Sequence, residues 1–268
     1  MMIVNHSAEI GIIGGTGLYD GKLLSDPKKV RIHTPYGSTS DDVTIGEYAG
    51  RSVAFIPRHG SEHTIPPHLV NSRANIWALK SLGVSRILAA SAVGSLKDNI
   101  KPGDLAISAQ FVDFTKQREY TFYNGRQVCH ISCADPFCSE LCQLAYSTAN
   151  YIGYKVHESS TYVCIEGPRF STRAESNYFR EILRADIIGM TVVPECVLSR
   201  EVEICYVSIA TVTDYDVWSN EPVTSKEIIK VLKENVERIL KMVSEMIPKI
   251  PKSRNSCNCS KALEGSFV

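Results

Sequence analysis

Five short stretches carry side chains able to hold an anion and move a proton. Gly14-Gly15-Thr16-Gly17 closes an apolar run. Glycines lacking Cβ let backbone N–H groups approach an anion closely, and Thr16 adds a hydroxyl donor. Pro57-Arg58-His59-Gly60-Ser61-Glu62-His63 sets an arginine fork beside histidine donors, a combination that can grip phosphate through two parallel hydrogen bonds. Ala90-Ser91-Ala92-Val93-Gly94-Ser95 is small and rich in hydroxyls. In Glu166-Gly167-Pro168-Arg169-Phe170-Ser171-Thr172-Arg173-Ala174-Glu175 an aromatic residue precedes two hydroxyls, and Thr172 with Glu175 has the spacing of a helix capping box. Thr213-Asp214-Tyr215-Asp216 offers paired carboxylates, which can act as acid, base or hydrogen-bond acceptor. Taken one by one, these stretches also read as turns, caps or close packing.

The elements around them give the five a common place. Apolar runs at 9–15, 53–57, 86–94, 104–108, 162–167, 186–190 and 204–211 predict strands. Several are apolar on both faces, as strands between two helix layers must be. Helical spacing at about 69–82, 139–152, 172–184 and 224–247 alternates with them. The last is the clearest helix: Ile228, Leu232, Val236, Ile239, Leu240, Val243 and Ile247 form one stripe, opened by Thr224 as N-cap and closed before Pro248. This alternation predicts an α/β fold, a single-domain three-layer α/β/α sandwich with a mixed, largely parallel twisted sheet. All five stretches then lie at carboxyl ends of strands, the rim where such sheets bind ligands. Beyond Pro248 the periodicity stops, and 248–268 is expected to be an irregular, cysteine-bearing tail.

Composition narrows the partners. The 268 residues are 44% hydrophobic with 29 basic and 29 acidic side chains, so the chain folds without a metal or disulfide and carries no global field toward nucleic acid or anionic lipid. No apolar run spans a membrane and no secretory signal is visible at the amino terminus, so a cytoplasmic protein is expected. His59 and His63 would suit zinc on a helix, but Gly60 and Pro66-Pro67 predict a loop, and no metal ligands are assigned. The glycines run G-x-x-G-G-x-G, which is not the dinucleotide-binding spacing, and no Gly-Lys-Ser or Gly-Lys-Thr of a P-loop occurs.

The segments GIIGGTGL, RHGSEHTIPPHLVNSRANIWALK, EGPRFSTRAES, GMTVVPE and IATVTDYDVW, in this order, resemble the methylthioadenosine phosphorylases of the trimeric purine nucleoside phosphorylase group. The resemblance covers about 9–247. It implies a homotrimer or a dimer of trimers that uses inorganic phosphate to split S-methyl-5′-thioadenosine into adenine and 5-methylthioribose 1-phosphate, with no metal or organic cofactor. Thr16, Arg58, His59, Ser91, Ala92 and Thr191 match phosphate contacts, Ala92 through its backbone N–H. Met190 matches the residue binding the ribose hydroxyls and Phe170 the aromatic contact to the base. Asp214 matches the carboxylate on purine N7 and Asp216 the one receiving the 6-amino group, while Ser171 stands where phosphorylases of 6-oxopurines use a carboxylate. His130 matches a histidine lent across the trimer interface to the 5′ pocket. Ser91 departs from the more usual threonine and keeps the donor; Ser225 stands where the family places an apolar contact to the methylthio group. A polar residue there would suit 5′-hydroxyl nucleosides, so the alternative is a broader phosphorylase that also cleaves adenosine, inosine or guanosine. A nicotinamide-dependent oxidoreductase rests on GIIGGTG alone, and a non-catalytic nucleoside sensor would be expected to lose Arg58 or Asp214.

Nine cysteines are left over. Intracellular thiols are ordinarily reduced, hyperthermophiles being the exception. A core of this size does not need nine, so at least one intrachain bridge is expected, with Cys257–Cys259 as a candidate despite its small strained ring.

Overall fold

The computed structural model describes residues 7–15, 23–219, 225–254 and 256–268. In chain order the strands are β1 (Ile10–Gly14), β2 (Ser25–Val30), β3 (Val43–Tyr48), β4 (Arg51–Pro57), β5 (Arg86–Ser95), β6 (Leu105–Phe114), β7 (Val156–Ile165), β8 (Ile187–Gly189) and β9 (Cys205–Asp214). The helices are α1 (Ser72–Ser81), α2 (Ser139–Tyr151), α3 (Arg173–Asn177), α4 (Val192–Glu201) and α5 (Ser225–Met246).

The strands form one mixed sheet in the order β2-β3-β4-β1-β5-β8-β7-β6-β9, and β9 returns to pair with β5. The strands β5, β8, β7, β6 and β9 therefore close a ring beside an open, twisted half. At the centre β4, β1, β5 and β9 run parallel, so their carboxyl ends share one rim.

Alternation along these strands builds a core on each face. Ile12 and Leu88 point to the side covered by α2 and α5, where Leu141, Ala145, Met242 and Val243 are buried. Ile13 and Ala89 point to the side of α1 and α4, with Ile76, Leu79 and Leu198. This is the expected layering. Burying a large aliphatic chain of this kind contributes about 1.5–3 kcal/mol, so the strands apolar on both faces are the framework to which the rim is attached.

Four elements differ from expectation, among them β3, which no expected apolar run covers. β2, Ser25-Asp26-Pro27-Lys28-Lys29-Val30, is almost wholly exposed at the sheet edge; lysines and a proline protect such an edge from pairing, and they also remove the apolar alternation that marks a strand. α4 is buried almost all round, so it has no stripe to read. The segment expected to be helical over 172–184 is a short α3 followed by a π-helical turn, Tyr178–Ile182. Its start is the capping box: the Glu175 N–H donates to Thr172 Oγ1 at 3.1 Å and the Thr172 N–H to Glu175 Oε2 at 2.7 Å. Helix α5 forms as expected, with Ile239 and Val243 buried; Thr224 lies outside the described residues.

The tail is corrected most. It is docked, because buried arginines of the core have donors to spare and the tail's carbonyls accept them. Arg51 Nη1 donates to the Ile250 carbonyl at 2.7 Å and Arg86 Nη2 to that of Ser253 at 2.7 Å. Further on, Phe267 pairs with Cys129 in an antiparallel bridge and the His130 N–H donates to the Ser266 carbonyl at 2.8 Å. The expected Cys257–Cys259 bridge is not formed, since all nine cysteines are free thiols. Cys205 and Cys257 instead meet with their sulfurs 3.5 Å apart. Among the described residues no helix is long and apolar enough to cross a membrane.

Removing residues 251–268 should lower Tm by about 6–12 °C. At least three hydrogen bonds to the core go, each contributing about 1 kcal/mol, and each kcal/mol shifts a domain of this size by about 2–4 °C. Thermal unfolding of the truncated chain checks this; an unchanged Tm would mean that the tail adds nothing to the fold.

Candidate active site

Arg58 sits where β4 ends, its backbone N–H on the Gly14 carbonyl of β1 at 2.9 Å. Its guanidinium is 2% exposed, a position that requires a counter-charge. Glu195 of α4 supplies it in a two-pronged contact, Nε to Oε1 at 2.5 Å and Nη2 to Oε2 at 3.0 Å. Nη1 donates to the Ala90 carbonyl at 2.8 Å, and the Tyr206 hydroxyl of β9 donates to Glu195 Oε2 at 2.9 Å. Burial works against the charge of Arg58, but Glu195 outweighs it and the guanidinium stays firmly protonated. A guanidinium has five N–H donors, so one on each terminal nitrogen remains for an anion.

Beside it lies the Ser91 stretch of β5. The Ser91 Oγ is buried with no protein partner, and the Ser91 carbonyl accepts from Thr211 Oγ1 at 3.2 Å. His59 makes a corrected contact. Its Nδ1 is 2.9 Å from the Ile65 carbonyl, which can only accept, so Nδ1 carries the proton. Burial first and the Arg58 charge second depress its pKa to about 4. The neutral ring thus leaves Nε2 as an acceptor, so His59 is suited to a protonated oxygen of an anion rather than to donating. His59 and His63 stand in turns rather than on a helix, which removes the zinc-protease geometry.

At the other pole β9 ends in Asp214, with Asp216 at the start of a 3₁₀ turn. Asp214 Oδ1 accepts from the Thr213 hydroxyl at 2.6 Å and Oδ2 from the Asp216 N–H at 2.9 Å. Burial raises its pKa above the usual carboxylate range against those two bonds. Asp216 reaches Asp214 through this N–H, which favours the ionised form, so burial is what raises the Asp214 carboxyl. Asp216 is 4% exposed and left-handed at φ 52°, a conformation a non-glycine residue holds only when its surroundings compel it. The Ser176 hydroxyl, 2.5 Å from Asp216 Oδ2, is one such constraint. Burial raises the pKa of Asp216 too, and Asp214 adds to it.

Gly94 makes room for the pair. A Cβ there would stand 3.0 Å from Asp214 Oδ2, 3.2 Å from Ile188 Cγ2 and 3.3 Å from Asp216 Cβ. Gly189 is equally constrained, because a Cβ would come within 2.0 Å of the Tyr162 hydroxyl. That hydroxyl lies 3.3 Å from Thr191 Oγ1. Met190 borders Gly167, its Sδ 2.5 Å from where a Cβ would stand. Phe170 is 40% exposed and Ser171 is buried with its hydroxyl unpartnered. Of the sequence candidates, Arg58 follows β4, Ser91 and Ala92 lie in the second half of β5, and Asp214 ends β9 with Asp216 just beyond it. β1 stands between β4 and β5, β5 pairs with β9, and Met190 and Thr191 follow β8, which also pairs with β5. His130 stands apart, exposed and held against the tail. Thr16 and the side chain of Ser225 lie outside the described residues.

Comparison with known proteins places the chain in a family. The model of the phosphorylase superfamily matches residues 9–248. The chain belongs to that superfamily. Among the phosphorylases, the S-methyl-5′-thioadenosine phosphorylase of Nitrosopumilus maritimus is 57% identical over 97% of this chain and 98% of its own. That of Pyrococcus abyssi is 58% identical over 97% and 99%. A methylthioadenosine phosphorylase from an antarctic soil metagenomic library superposes with a TM-score of 0.92 at 43% identity, covering 98% of this chain and 93% of that one. A Schistosoma mansoni adenosine/methylthioadenosine phosphorylase mutant in complex with methylthioadenosine gives 0.89 at 35% identity, with 97% and 96% covered.

The sequence reading missed Glu195, which pairs with Arg58, Tyr206, which donates to Glu195, and Ser176, which donates to Asp216. A carboxylate inside Val192-Val193-Pro194-Glu195-Cys196-Val197-Leu198 was the available signal, since an acid in so apolar a run needs a buried partner. Glu195→Gln should destabilise the fold by about 3–5 kcal/mol, because Arg58 loses its counter-charge while remaining buried. Tyr206→Phe, which removes one hydrogen bond, should cost about 1 kcal/mol. Urea unfolding of both variants measures the difference, and equal losses would contradict the pair's role.

Proposed function

We propose that this phosphorylase cleaves S-methyl-5′-thioadenosine with inorganic phosphate, releasing adenine and 5-methylthioribose 1-phosphate. The observation that carries the reading is the meeting, on the rim shared by the parallel strands β4, β1, β5 and β9, of a cationic anion cradle with a buried carboxyl held toward its neutral form. Breaking the glycosidic bond leaves positive charge on the ribose and negative charge on the purine, so a nucleophilic anion must stand below C1′ and a proton donor at N7. Arg58, with Ser91, Thr16, Thr191 and the Ala92 N–H, holds the phosphate as nucleophile and counter-charge. His59 Nε2 accepts the proton that a phosphate monoanion or dianion carries. Asp214 delivers its proton to N7 and Asp216, as the carboxylate, accepts from the 6-amino group. Phe170 stacks on the base, Met190 holds the ribose hydroxyls through its backbone, and Ser171 faces N1.

The cleavage needs no metal or organic cofactor, since phosphate supplies the nucleophile and Asp214 the proton. A homo-oligomer, trimer or dimer of trimers, and a cytoplasmic location go with this reading. In it His130 crosses to a neighbouring subunit's 5′ pocket, with Ser225 beside the methylthio group; the resemblance to the family supports these assignments.

Adenine release should require phosphate, and full-rate release in phosphate-free buffer would identify a hydrolase instead. The base assignment has its own test. A 6-oxopurine turns an acceptor toward Asp216 and leaves N1–H only the Ser171 hydroxyl, which costs about 1–3 kcal/mol per unpaired group and favours 6-aminopurines by one to several powers of ten. Asp214→Asn should depress methylthioadenosine cleavage steeply and inosine cleavage less, because an amide can donate to a 6-oxo oxygen but has no proton to transfer. The rate on methylthioadenosine should also fall as pH rises through the raised pKa of Asp214, whose protonated fraction is the active one, and this limb should vanish in the variant. Equal loss on both substrates with an unchanged pH profile would remove Asp214 from the base.

A further inference from the structure

Outside the rim, the structure gathers four cysteines that lie far apart in the chain. Cys138 precedes α2, Cys205 opens β9, and Cys257 and Cys259 come from the tail. Their sulfurs all lie within 4.8 Å of one another. We propose that Cys138, Cys205, Cys257 and Cys259 form a structural site for a soft divalent cation, zinc, that clamps the carboxyl-terminal tail to the core.

The geometry is that of a tetrathiolate cage. Zinc–sulfur bonds of about 2.3 Å in a tetrahedron set the sulfurs about 3.8 Å apart, and Cys205 and Cys257 stand at 3.5 Å. A disulfide would need about 2.05 Å, far shorter than that separation. Two ligands are fixed to the sheet: the Cys138 N–H donates to the Tyr206 carbonyl at 2.9 Å and the Cys205 N–H to that of Ser85 at 3.0 Å. Cys138, Cys205 and Cys259 are buried, which keeps water from competing for the metal. A separate observation concerns charge. Arg86, the register partner of Cys205 on β5, is 2% exposed and keeps a buried Nε with no acceptor. Its Nη2 is paired with Glu140 at 2.9 Å, so what it has to offer is the one N–H on Nε. A cage of four thiolates around zinc carries net negative charge and accepts hydrogen bonds from such outer donors. Binding is not a redox step: four thiols each give a proton to solvent and four sulfur–zinc bonds form.

The site also explains why so polar a tail is ordered. From it the chain continues to Ser266 and Phe267, which pair with His130 and Cys129, so the clamp also fixes the backbone on which His130 sits. The inference is independent of the proposed reaction, and either can fail without the other.

Protein purified without thiols or chelators from zinc-supplemented cells should contain about one zinc per chain by elemental mass spectrometry. Zinc removal and titration with cobalt(II) should give the sulfur-to-metal charge-transfer and d–d bands of a tetrahedral thiolate. Cys259→Ser should lose the zinc and lower Tm, whereas Cys133→Ser, outside the cluster, should keep both. Should Cys259→Ser fail to fold, the cobalt spectrum of the unaltered chain still decides. Zinc below about a tenth per chain, with no thiolate bands on cobalt addition, overturns the proposal. So does an intact mass short of two hydrogens per bridge with fewer than nine titratable thiols, which would identify the cluster as disulfides.

Discussion

Arg58 is buried to 2% exposure at the end of a strand and can stay charged there only because Glu195 meets it through two oxygens. A buried pair of this kind adds little net stability, since desolvating both ions offsets much of their attraction, but losing either partner is costly. The pair therefore constrains the fold more than it strengthens it. β4 must end where Pro57 hands the chain to Arg58, α4 must present Glu195 across the rim, and β9 must carry Tyr206 to the second carboxylate oxygen. In return the guanidinium is held rigidly with two N–H donors turned free, so an anion arriving there meets a preorganised site and no reorganisation is needed during reaction.

The second pole depends on the same sheet. β5 and β9 are parallel neighbours, pairing Ser91 with Ala210 and Gly94 with Asp214. With Arg58 at the end of β4, anion cradle and acid are set by the ends of three parallel strands. Low polarity is needed at both ends, for opposite reasons. At Arg58 it is overcome by a counter-charge; at Asp214 it is left partly uncompensated, and the carboxyl keeps its proton more readily. The left-handed Asp216 and the missing side chain at Gly94 are local consequences of fitting two carboxylates against one strand end.

Away from the rim, spare donors on core arginines govern how the chain ends. Arg51 and Arg86 lie almost buried and place N–H groups on tail carbonyls. A tail with no apolar stripe is thereby ordered through its backbone, which every sequence possesses.

Much of this was legible in the residues alone. Seven strands, the helices α1, α2 and α5 and the rim position of Arg58, Ser91 and Asp214 followed from apolar runs and from the punctuation at their ends, because burial between two helix layers imposes continuous hydrophobicity locally. The segments around Arg58, Ser171 and Asp214 likewise identified the family. Other features lie in contacts between residues distant in sequence, where no period or spacing records them. The edge strand β2 is polar because it faces water, and α4 shows no stripe because it faces protein all round. The partnership of Arg58 with Glu195, the neutral tautomer of His59, and the meeting of Cys138 and Cys205 with Cys257 and Cys259 arise only when the sheet closes. Local chemistry determined which groups the chain owns; the tertiary fold decided which are buried together, and burial sets their charge.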